Sequence, residues 1–412
     1  MILENNLAFT SRSNRDYSDE FAQSGAKVGA TVNARKPNRF VGTTGPNLNI
    51  EGVNENSVPI TLTTQFHVDF TFSSQELTLI VDEFADRYLK PAMATIANKI
   101  DFDGLGLATN VANNVGTAGT VPNDISVLLN AGAKLDNEAA PRDGMRQAVW
   151  DPTTNASMVK SAAGLFNPGP AIGEQYESGI FRPASLGLDV GMDQNVNVFT
   201  TGTRTNGTVS GAGQTGSTLV VTGLGAGGTV AKGDTFTLGG VFAVNPQNRQ
   251  SVGYLRQFTV LAAATADGSG NATLSIFPPI NTAASNQQYQ TVTAGPANAA
   301  PLTWDVAAST QYGANLAYHR NAFTLATADL EDVSKFGAWG ARRVHKGISM
   351  RIARQYAIGS DTVPCRIPAQ VSAGAVRRNG YRLPALSGSC AGRDRGGSRA
   401  VPAEPPRRPR SS

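Results

Sequence analysis

The sequence predicts an α+β fold in which a small antiparallel β-barrel is inserted into a larger mixed domain. Residues 201–300 contain 16 Thr and 16 Gly but only six charged side chains, and short β-prone runs there alternate with turn residues. Residues 81–108 instead carry apolar side chains at helical spacing. Thr, branched and aromatic residues favour strands, and five or six short runs at close spacing are typical of a small barrel. A barrel flanked by helical patterns favours an assembly or binding role over an enzymatic one.

Length and composition place the chain among ordinary globular proteins. Its 412 residues leave room for two or three domains with a substantial core. No apolar run approaches the ~18–20 residues that span a bilayer, and the first residues lack the pattern of a secretion signal. The two cysteines, Cys365 and Cys390, form neither a disulfide framework nor a metal pattern. We therefore expect a protein of a reducing cytoplasm that has no membrane partner.

The positive charge is concentrated at the end of the chain. Net charge is +4, but residues 368–412 contain nine Arg against only Asp394 and Glu404, which gives that segment +7 and the first 367 residues −3. The mildly acidic body does not suggest nucleic-acid binding.

The first 72 residues predict an arm followed by an extended loop. Residues 1–26 are polar and mixed in charge, which indicates an extended or partly helical arm. In residues 27–72, runs in which apolar and polar residues alternate lie on both sides of a turn-rich stretch that contains Pro37 and Pro46. That pattern predicts a long two-stranded excursion. Because an isolated hairpin is only marginally stable in water, the excursion needs a neighbour to lie on.

The strongest helix signal follows this loop. Ser73 and Glu76 have the spacing of a capping box, and the helical pattern then runs over about residues 81–108, with a bend or break predicted at Pro91. Shorter helices and strands are predicted up to residue 200, and strand-like runs return over 302–367.

The sequence offers no convergent catalytic or metal site. His67, His319 and His345 lack any zinc spacing, and Gly223–Gly228 matches GxGxxG but leads into a strand rather than a helix. The segment Asp101–Gly104 starts like a calcium loop and then lacks the other ligands. We therefore expect no enzyme activity, no cofactor and no metal.

Five stretches carry a resemblance to a known family. In chain order they are Asn14–Phe21 with Arg35–Pro37, Ser74–Thr78, Gly233–Val241 through Asn245–Gln250, Ala317–Phe323, and Gly347–Ile367. With these stretches the chain, over about residues 2–367, resembles major capsid proteins of tailed bacteriophages. The similarity is to the coat-protein branch typified by phage P22, which has the HK97 capsid fold with an inserted β-barrel.

The resemblance implies a structural protein that self-assembles into the icosahedral head of a phage or prophage. Its partners would be further copies of itself in capsomers, scaffolding and portal proteins, and packaged DNA that is enclosed but not specifically bound. Assembly would take place in the host bacterial cytoplasm. The implied parts are an N-terminal arm (1–26), an extended loop lying on a neighbouring subunit (27–72), a first core part with the spine helix (73–200), the inserted barrel (201–301) and a second core part (302–367).

Charged side chains are the candidate contacts between subunits. They would set register more than affinity, because ion pairs at interfaces contribute mainly to specificity. The candidates are Arg15, Asp16, Glu20, Lys36, Arg39 and Asp234.

Both ends depart from the family pattern. The chain begins where relatives have preceding residues, so a shortened arm is expected. After Ile367 the sequence becomes dominated by Arg, Pro, Gly, Ala and Ser without Lys. We interpret residues 368–412 as a disordered, frameshifted tail, with a basic arm that binds packaged DNA through phosphates as the alternative.

Two other classes of protein remain as rivals. A Thr/Gly-rich fibre or adhesin module would need sequence repeats and little helix, and the pattern over 81–108 speaks against it. An α/β enzyme with an inserted barrel would need a cluster of convergent polar residues, which the sequence does not show.

Overall fold

The computed structural model of the chain describes residues 8–14, 31–35, 38–48, 50–52, 57–61, 65–73, 85–162, 187–327, 330, 333–345, 348–375 and 381–385. In chain order the strands are β1 (Thr31–Arg35), β2 (Ser57–Thr61), β3 (Gln65–Ser73), β4 (Asn113–Asn114), β5 (Arg146–Trp150), β6 (Asp189–Met192), β7 (Val198–Thr200), β8 (Gly207–Val209), β9 (Gly216–Thr222), β10 (Thr229–Val230), β11 (Thr235–Val244), β12 (Ser251–Val260), β13 (Ala264–Thr265), β14 (Ala272–Ile280), β15 (Pro301–Trp304), β16 (Gln311–His319), β17 (Phe323–Thr327), β18 (Trp339–His345), β19 (Ile348–Arg354), β20 (Thr362–Ala375) and β21 (Tyr381–Ala385). The α-helices are α1 (Lys90–Leu105), α2 (Ile125–Asn137), α3 (Pro152–Ala162) and α4 (Ala283–Asn286). Short helical turns of other types lie at Thr10–Arg12, Ala85–Leu89, Gly106–Asn110, Arg320–Ala322 and Val333–Phe336.

The predicted spine helix is present over most of its length. A π-helical turn at Ala85–Leu89, α1 and a 3₁₀ turn at Gly106–Asn110 form one helical segment, while residues 81–84 lie outside the described residues. The change from π to α hydrogen bonding falls beside Pro91, whose ring and missing N–H disrupt a regular helix. Ala92, Ile96 and Ile100 recur every four residues and are buried, so α1 buries one face.

That face of α1 packs on a long antiparallel sheet. Strands β17, β20, β19 and β18 pair in this order, and β3 pairs with β20 from Gln65 opposite Gln370 to Ser73 opposite Thr362. The core between helix and sheet includes Ile96, Met350 and Ile367. This sheet and α1 are called the peripheral unit below.

A second sheet with strand order β4-β21-β16-β5-β6 forms the axial unit, and β7 also pairs with β16. Helix α2 covers it with Leu128 and Leu135, which pack with Trp150. Asp124 caps α2, since its carboxylate accepts a hydrogen bond from the N–H of Ser126 at 3.0 Å.

The barrel predicted between the helical regions is present and closed. Strands β11, β12, β14, β9, β8 and β15 surround a core that includes Phe236 and Phe258. Gly223–Gly228 precedes the short strand β10, in agreement with the predicted turn into a strand. The barrel leaves and re-enters the axial unit between β7 and β16, where Thr200 pairs with Gln311.

The extended loop also has the predicted two strands. Strands β1 and β2 pair antiparallel from Thr31 opposite Thr61 to Arg35 opposite Ser57, and β3 then enters the peripheral unit.

Two predicted boundaries were wrong. The boundary at residue 301 cuts through β15, which closes the barrel between β11 and β8. The disordered tail predicted from residue 368 is contradicted at its start, because β20 continues to Ala375 and β21 adds a strand between β4 and β16. Backbone pairing with a strand 300 positions earlier in the chain cannot be read from composition. Residues 376–380 and 386–412 lie outside the described residues.

Candidate assembly surfaces

The N-terminal residues are anchored on the spine helix. The backbone N–H groups of Phe9 and Thr10 donate to the Asp101 carboxyl group at 3.1 and 3.0 Å, and the Thr10 hydroxyl donates to it as well. The Phe9 ring is fully buried and packs against Tyr318 and Phe323, with ring centroids 5.5 and 5.4 Å away. Phe9, Thr10 and Asp101 are called the arm anchor below.

Gly104 makes room for the arm anchor. A Cβ atom added to Gly104 would lie 2.5 Å from a ring carbon of Phe9, closer than real Cβ contacts. The close approach of ring and helix backbone therefore requires glycine at this position of α1.

Asp101 lies beside a second buried carboxyl group. Burial, together with the charge and hydrogen bond of Asp193, raises the pKa of Asp101 to about 7, although the Thr10 hydrogen bonds lower it. Below that pH the protonated Asp101 can donate to Asp193, which lies in the loop after β6. The arm anchor thus connects the arm, the spine helix and the axial unit through the carboxyl group of Asp101.

Further contacts continue the arm across the axial and peripheral units. The Arg12 guanidinium pairs with the Asp189 carboxylate at 3.3 Å. Asn14 bridges to β17, because its N–H donates to the Phe323 carbonyl at 3.0 Å and its carbonyl accepts from the Leu325 N–H at 2.9 Å.

A buried ion pair lies at the base of the barrel. Arg204 Nε and Asp234 Oδ2 are 3.2 Å apart, and both side chains are 0% exposed. The carboxylate also accepts hydrogen bonds from the N–H groups of Gly202 and Ala231, and the guanidinium lies 4.3 Å from the ring centre of Trp304. Burial lowers the pKa of Arg204, and the charge of Asp234 opposes that shift. This pair is called the stem pair below.

A second buried ion pair joins barrel and body beside α2. Arg256 on β12 pairs with Glu138 at the end of α2. The Lys134 ammonium donates to the Asn114 carbonyl at 2.7 Å and to Gln257 Oε1 at 2.9 Å, and burial lowers the pKa of Lys134. Polar side chains of β12 therefore fix the orientation of the barrel on the axial unit.

Of the six predicted contact residues, the structure describes two. Arg39 lies in the turn between β1 and β2, with its guanidinium 5.9 Å from the ring centre of Tyr289 on the barrel. Asp234 is buried in the stem pair, which leaves none of its carboxylate for a neighbouring subunit. The other four lie outside the described residues: Arg15, Asp16, Glu20 and Lys36.

The most exposed large apolar side chains of the described residues belong to two groups. Phe40, Leu48 and Ile50 lie in the turn of the extended loop, where Leu48 is 87% and Ile50 83% exposed. The second group lies at one end of the peripheral unit and comprises Phe336, Trp339, Tyr356 and Ile358. Trp339 stacks under Arg354, whose guanidinium lies 4.1 Å from the ring centre, and it is half exposed.

Two of the histidines each lie beside a carboxylate. His67 lies 3.3 Å from Asp69, and His319 lies 3.1 Å from Asp143. Across the described ranges, no three His, Cys, Asp or Glu side chains come together in a way that could hold a metal ion. In the same part of the chain, every helix is too short or too polar to cross a membrane.

A spine helix and its sheet thus carry an extended loop, while a barrel projects from a second sheet. The sequence pattern of the family described as "P22 coat protein - gene protein 5" matches residues 3–379. The chain belongs to this family and is a major capsid protein of a phage head. Nothing supports the rival fibre or adhesin module.

Several solved structures of phage capsids are similar at low identity. One titled "Mycobacterium phage Che8" has 9% identity and a TM-score of 0.48, over 92% of this chain and 91% of that chain. The capsid of the cyanophage P-SCSP1u has 9% identity and a TM-score of 0.44, over 90% and 89%. The capsid of the Myoviridae phage XM1 has 10% identity and a TM-score of 0.41, over 92% of both chains. No curated protein sequence matches the chain.

Proposed function

We propose that many copies of this chain close into an icosahedral procapsid in the host bacterial cytoplasm, with scaffolding and portal proteins as partners and no catalytic step. The observation that carries this proposal is the family match over residues 3–379, which includes arm, extended loop, both units and barrel. Packaged DNA would be enclosed without sequence-specific contact.

The extended loop and the arm are the elements proposed to contact neighbours. A two-stranded excursion buries little apolar surface by itself, and Leu48 and Ile50 are almost fully exposed in the single chain. Burial of such side chains against another subunit would couple stability to assembly. Arg15, Asp16, Glu20, Lys36 and Arg39 remain proposed contacts that set register.

The experiment is negative-stain electron microscopy of the full chain and of a chain that ends at Ala385, each expressed with a scaffolding protein. Closed shells or polyheads from either chain would support the proposal. Shells only from the shorter chain would identify residues 386–412 as an obstacle to assembly. Small particles of uniform size from both chains, under conditions in which a known coat protein assembles, would contradict it.

The same pair of chains distinguishes the two interpretations of the tail. The family match ends at residue 379, so a frameshift, if present, begins after the strand β20 rather than at 368. A DNA-binding arm predicts that only the full chain retains DNA in a way that weakens steeply with salt, because each phosphate contact releases counterions. A frameshifted tail predicts equal DNA content for both chains.

A further inference from the structure

The turn of the extended loop lies on the barrel of its own chain. The described residues of this turn, 38–48 and 50–52, are called the loop turn below. Arg249 donates from Nη2 to the Phe40 carbonyl, from Nη1 to the Val41 carbonyl at 3.4 Å and from Nε to the Gln287 carbonyl at 3.1 Å. The planar fork of a guanidinium lets one side chain bind several carbonyls at once, which the point charge of a lysine cannot do.

The barrel holds Arg249 in a defined conformation. The residue lies in the turn between β11 and β12 at φ 57, a left-handed conformation that is uncommon for residues other than glycine. Its N–H donates to the Asn245 carbonyl at 2.9 Å, and the Asn245 N–H donates to the Gln250 carbonyl at 3.0 Å. An uncommon backbone conformation that its surroundings maintain is typical of functional positions.

The loop turn is closed by its own carboxylate and contacts the barrel at both ends. Glu51 accepts hydrogen bonds from the N–H groups of Val41 and Gly42, each at 2.7 Å, so the two ends of the loop turn lie together. At the far end, Gln288 Nε2 donates to the Gly52 carbonyl at 3.1 Å, and at the near end Arg39 lies over Tyr289. Barrel residues 249 and 287–289 thus contact both ends of the loop turn.

We propose that Arg249 is a positioning residue through which the inserted barrel docks and orients the extended loop of its own chain. Docked in this way, the loop turn exposes Phe40, Leu48 and Ile50 for contact with a second copy of the chain. The docking stands on intrachain contacts alone, whereas its consequence for assembly rests on the proposed function. A barrel inserted about 150 residues after the loop would then set the direction in which the loop leaves the subunit.

The test uses the unassembled full chain and the variants Arg249→Gly, Arg249→Lys and Lys232→Ala. Glycine is well suited to φ 57, so Arg249→Gly is compatible with the turn between β11 and β12 while it removes the whole side chain with its guanidinium. Arg249→Lys retains the charge without the fork. Lys232→Ala is the matched control, because it removes an exposed cation from another turn of the same barrel.

Two readouts report on docking. Trypsin cleavage after Arg39, followed by mass spectrometry, is expected to be slow in the native chain and in Lys232→Ala, and about tenfold faster in Arg249→Gly and Arg249→Lys. Hydrogen exchange at Val41 and Gly42 should accelerate in parallel, while exchange in β12 and β14 stays unchanged. A residue that merely stabilised the barrel would instead change exchange in β12 and β14.

The outcomes separate the docking from the proposed function. Equal cleavage after Arg39 in the native chain and Arg249→Gly would overturn the docking. With docking established, closed shells from Arg249→Gly at native yield would overturn its role in assembly, and a reduced yield of closed shells would support it. If the native chain itself forms no shells, the proposed function fails, while the trypsin result still decides the docking.

Discussion

The barrel draws its hydrophobic core from residues 209–302 alone, whereas the cores of the body join distant parts of the chain, such as Phe9 with Phe323 and Ile96 with Ile367. In the barrel three of the six strand pairs join strands close in sequence, and the other three, β9 with β14, β8 with β15 and β11 with β15, stay within residues 207–304. In the body β3 pairs with β20, and β5 pairs with β16. Loop-closure entropy must be overcome before such distant contacts form.

The difference indicates that the two regions depend on assembly to different degrees. The barrel is closed and has no unpaired edge in its main sheet, so its stability does not require a second copy. Apolar side chains of the body are the more exposed ones: Leu48 is 87% and Ile358 86% exposed, against 41% for Val220 and 39% for Phe242 on the barrel. Polar contacts that join the barrel to the body include the Arg256–Glu138 pair, the hydrogen bond from Lys134 to Gln257 and the hydrogen bonds of Arg249 to the loop turn.

The largest effect is expected at the stem pair. Arg204→Met leaves the Asp234 carboxylate buried without its cation, which typically costs about 3–5 kcal/mol. We expect the barrel to unfold at a clearly lower urea concentration than in the native chain, as followed by hydrogen exchange in β11 and β12.

The double variant Arg204→Met with Asp234→Asn is the control. It removes both charges and keeps an acceptor for the N–H groups of Gly202 and Ala231. More than half of the lost stability should return, because no unpaired charge remains buried. If the single and the double variant lose the same stability, the packing of the Arg204 side chain, rather than its charge, stabilises the base of the barrel.

An effect of similar size is expected at the arm anchor. Phe9→Ala should destabilise the body by about 3–5 kcal/mol because it opens a cavity beside Tyr318 and Phe323. Gly104→Ala should lower the free energy of unfolding by about 1–3 kcal/mol, because the added methyl group clashes with the Phe9 ring. In a chain that already carries Phe9→Ala, the same substitution should lower it little more, because the ring is absent. Urea unfolding of the two single variants and the double variant measures this coupling.

Gly132→Ala is the matched control for the arm anchor. Gly132 lies within α2, and an added Cβ would meet no atom within 4 Å, so alanine there should be neutral or stabilise by up to about 1 kcal/mol. Additive effects of Phe9→Ala and Gly104→Ala would contradict the direct contact between ring and helix backbone.

The arm anchor should also respond to pH. The folded-state pKa of Asp101 is raised from the ordinary 3.8 to about 7, so the folded chain binds more protons than the unfolded chain between these values. Stability from this group is therefore complete below about pH 4 and is lost as pH rises through about 7. Asp101→Asn, which mimics the protonated form, should flatten this part of the stability profile measured by thermal unfolding between pH 5 and 8. An unchanged profile in Asp101→Asn would exclude this group as the cause.

The sequence predicted the elements whose patterns are local. Alternating Thr and branched residues identified β9, β12 and β14, and apolar spacing identified α1 with its irregularity at Pro91. The predicted runs 234–238 and 241–244 are one strand, β11, with a register shift between Thr237 and Phe242. The intervening Gly239 and Gly240 look like a turn in sequence, whereas pairing on both sides keeps the strand continuous.

The contacts within the candidate surfaces could not be predicted because they join distant residues. Asp101 matched the start of a calcium loop in sequence, yet it binds the N–H groups of Phe9 and Thr10, more than 90 positions earlier. Arg249 stood within a stretch that carried the family resemblance, but nothing local indicated the carbonyls of residues 40 and 41 as its partners. Pairing of β21 with β16 likewise depends on backbone hydrogen bonds, which an Arg- and Pro-rich composition does not reveal.

The smallest effect is expected where the body has an ion pair at its surface. Arg366 on β20 and Asp69 on β3 form two hydrogen bonds of 2.9 and 2.8 Å, yet both side chains are about half exposed. Water and salt screen such a pair, and the two strands are already joined by backbone hydrogen bonds from residue 65 to residue 73. Asp69→Asn should therefore leave the thermal midpoint unchanged within error at physiological salt, with a small decrease only at low salt. A decrease comparable to that of Arg204→Met would mean that surface charge, and not the backbone ladder with its buried apolar face, holds the ends of the chain together.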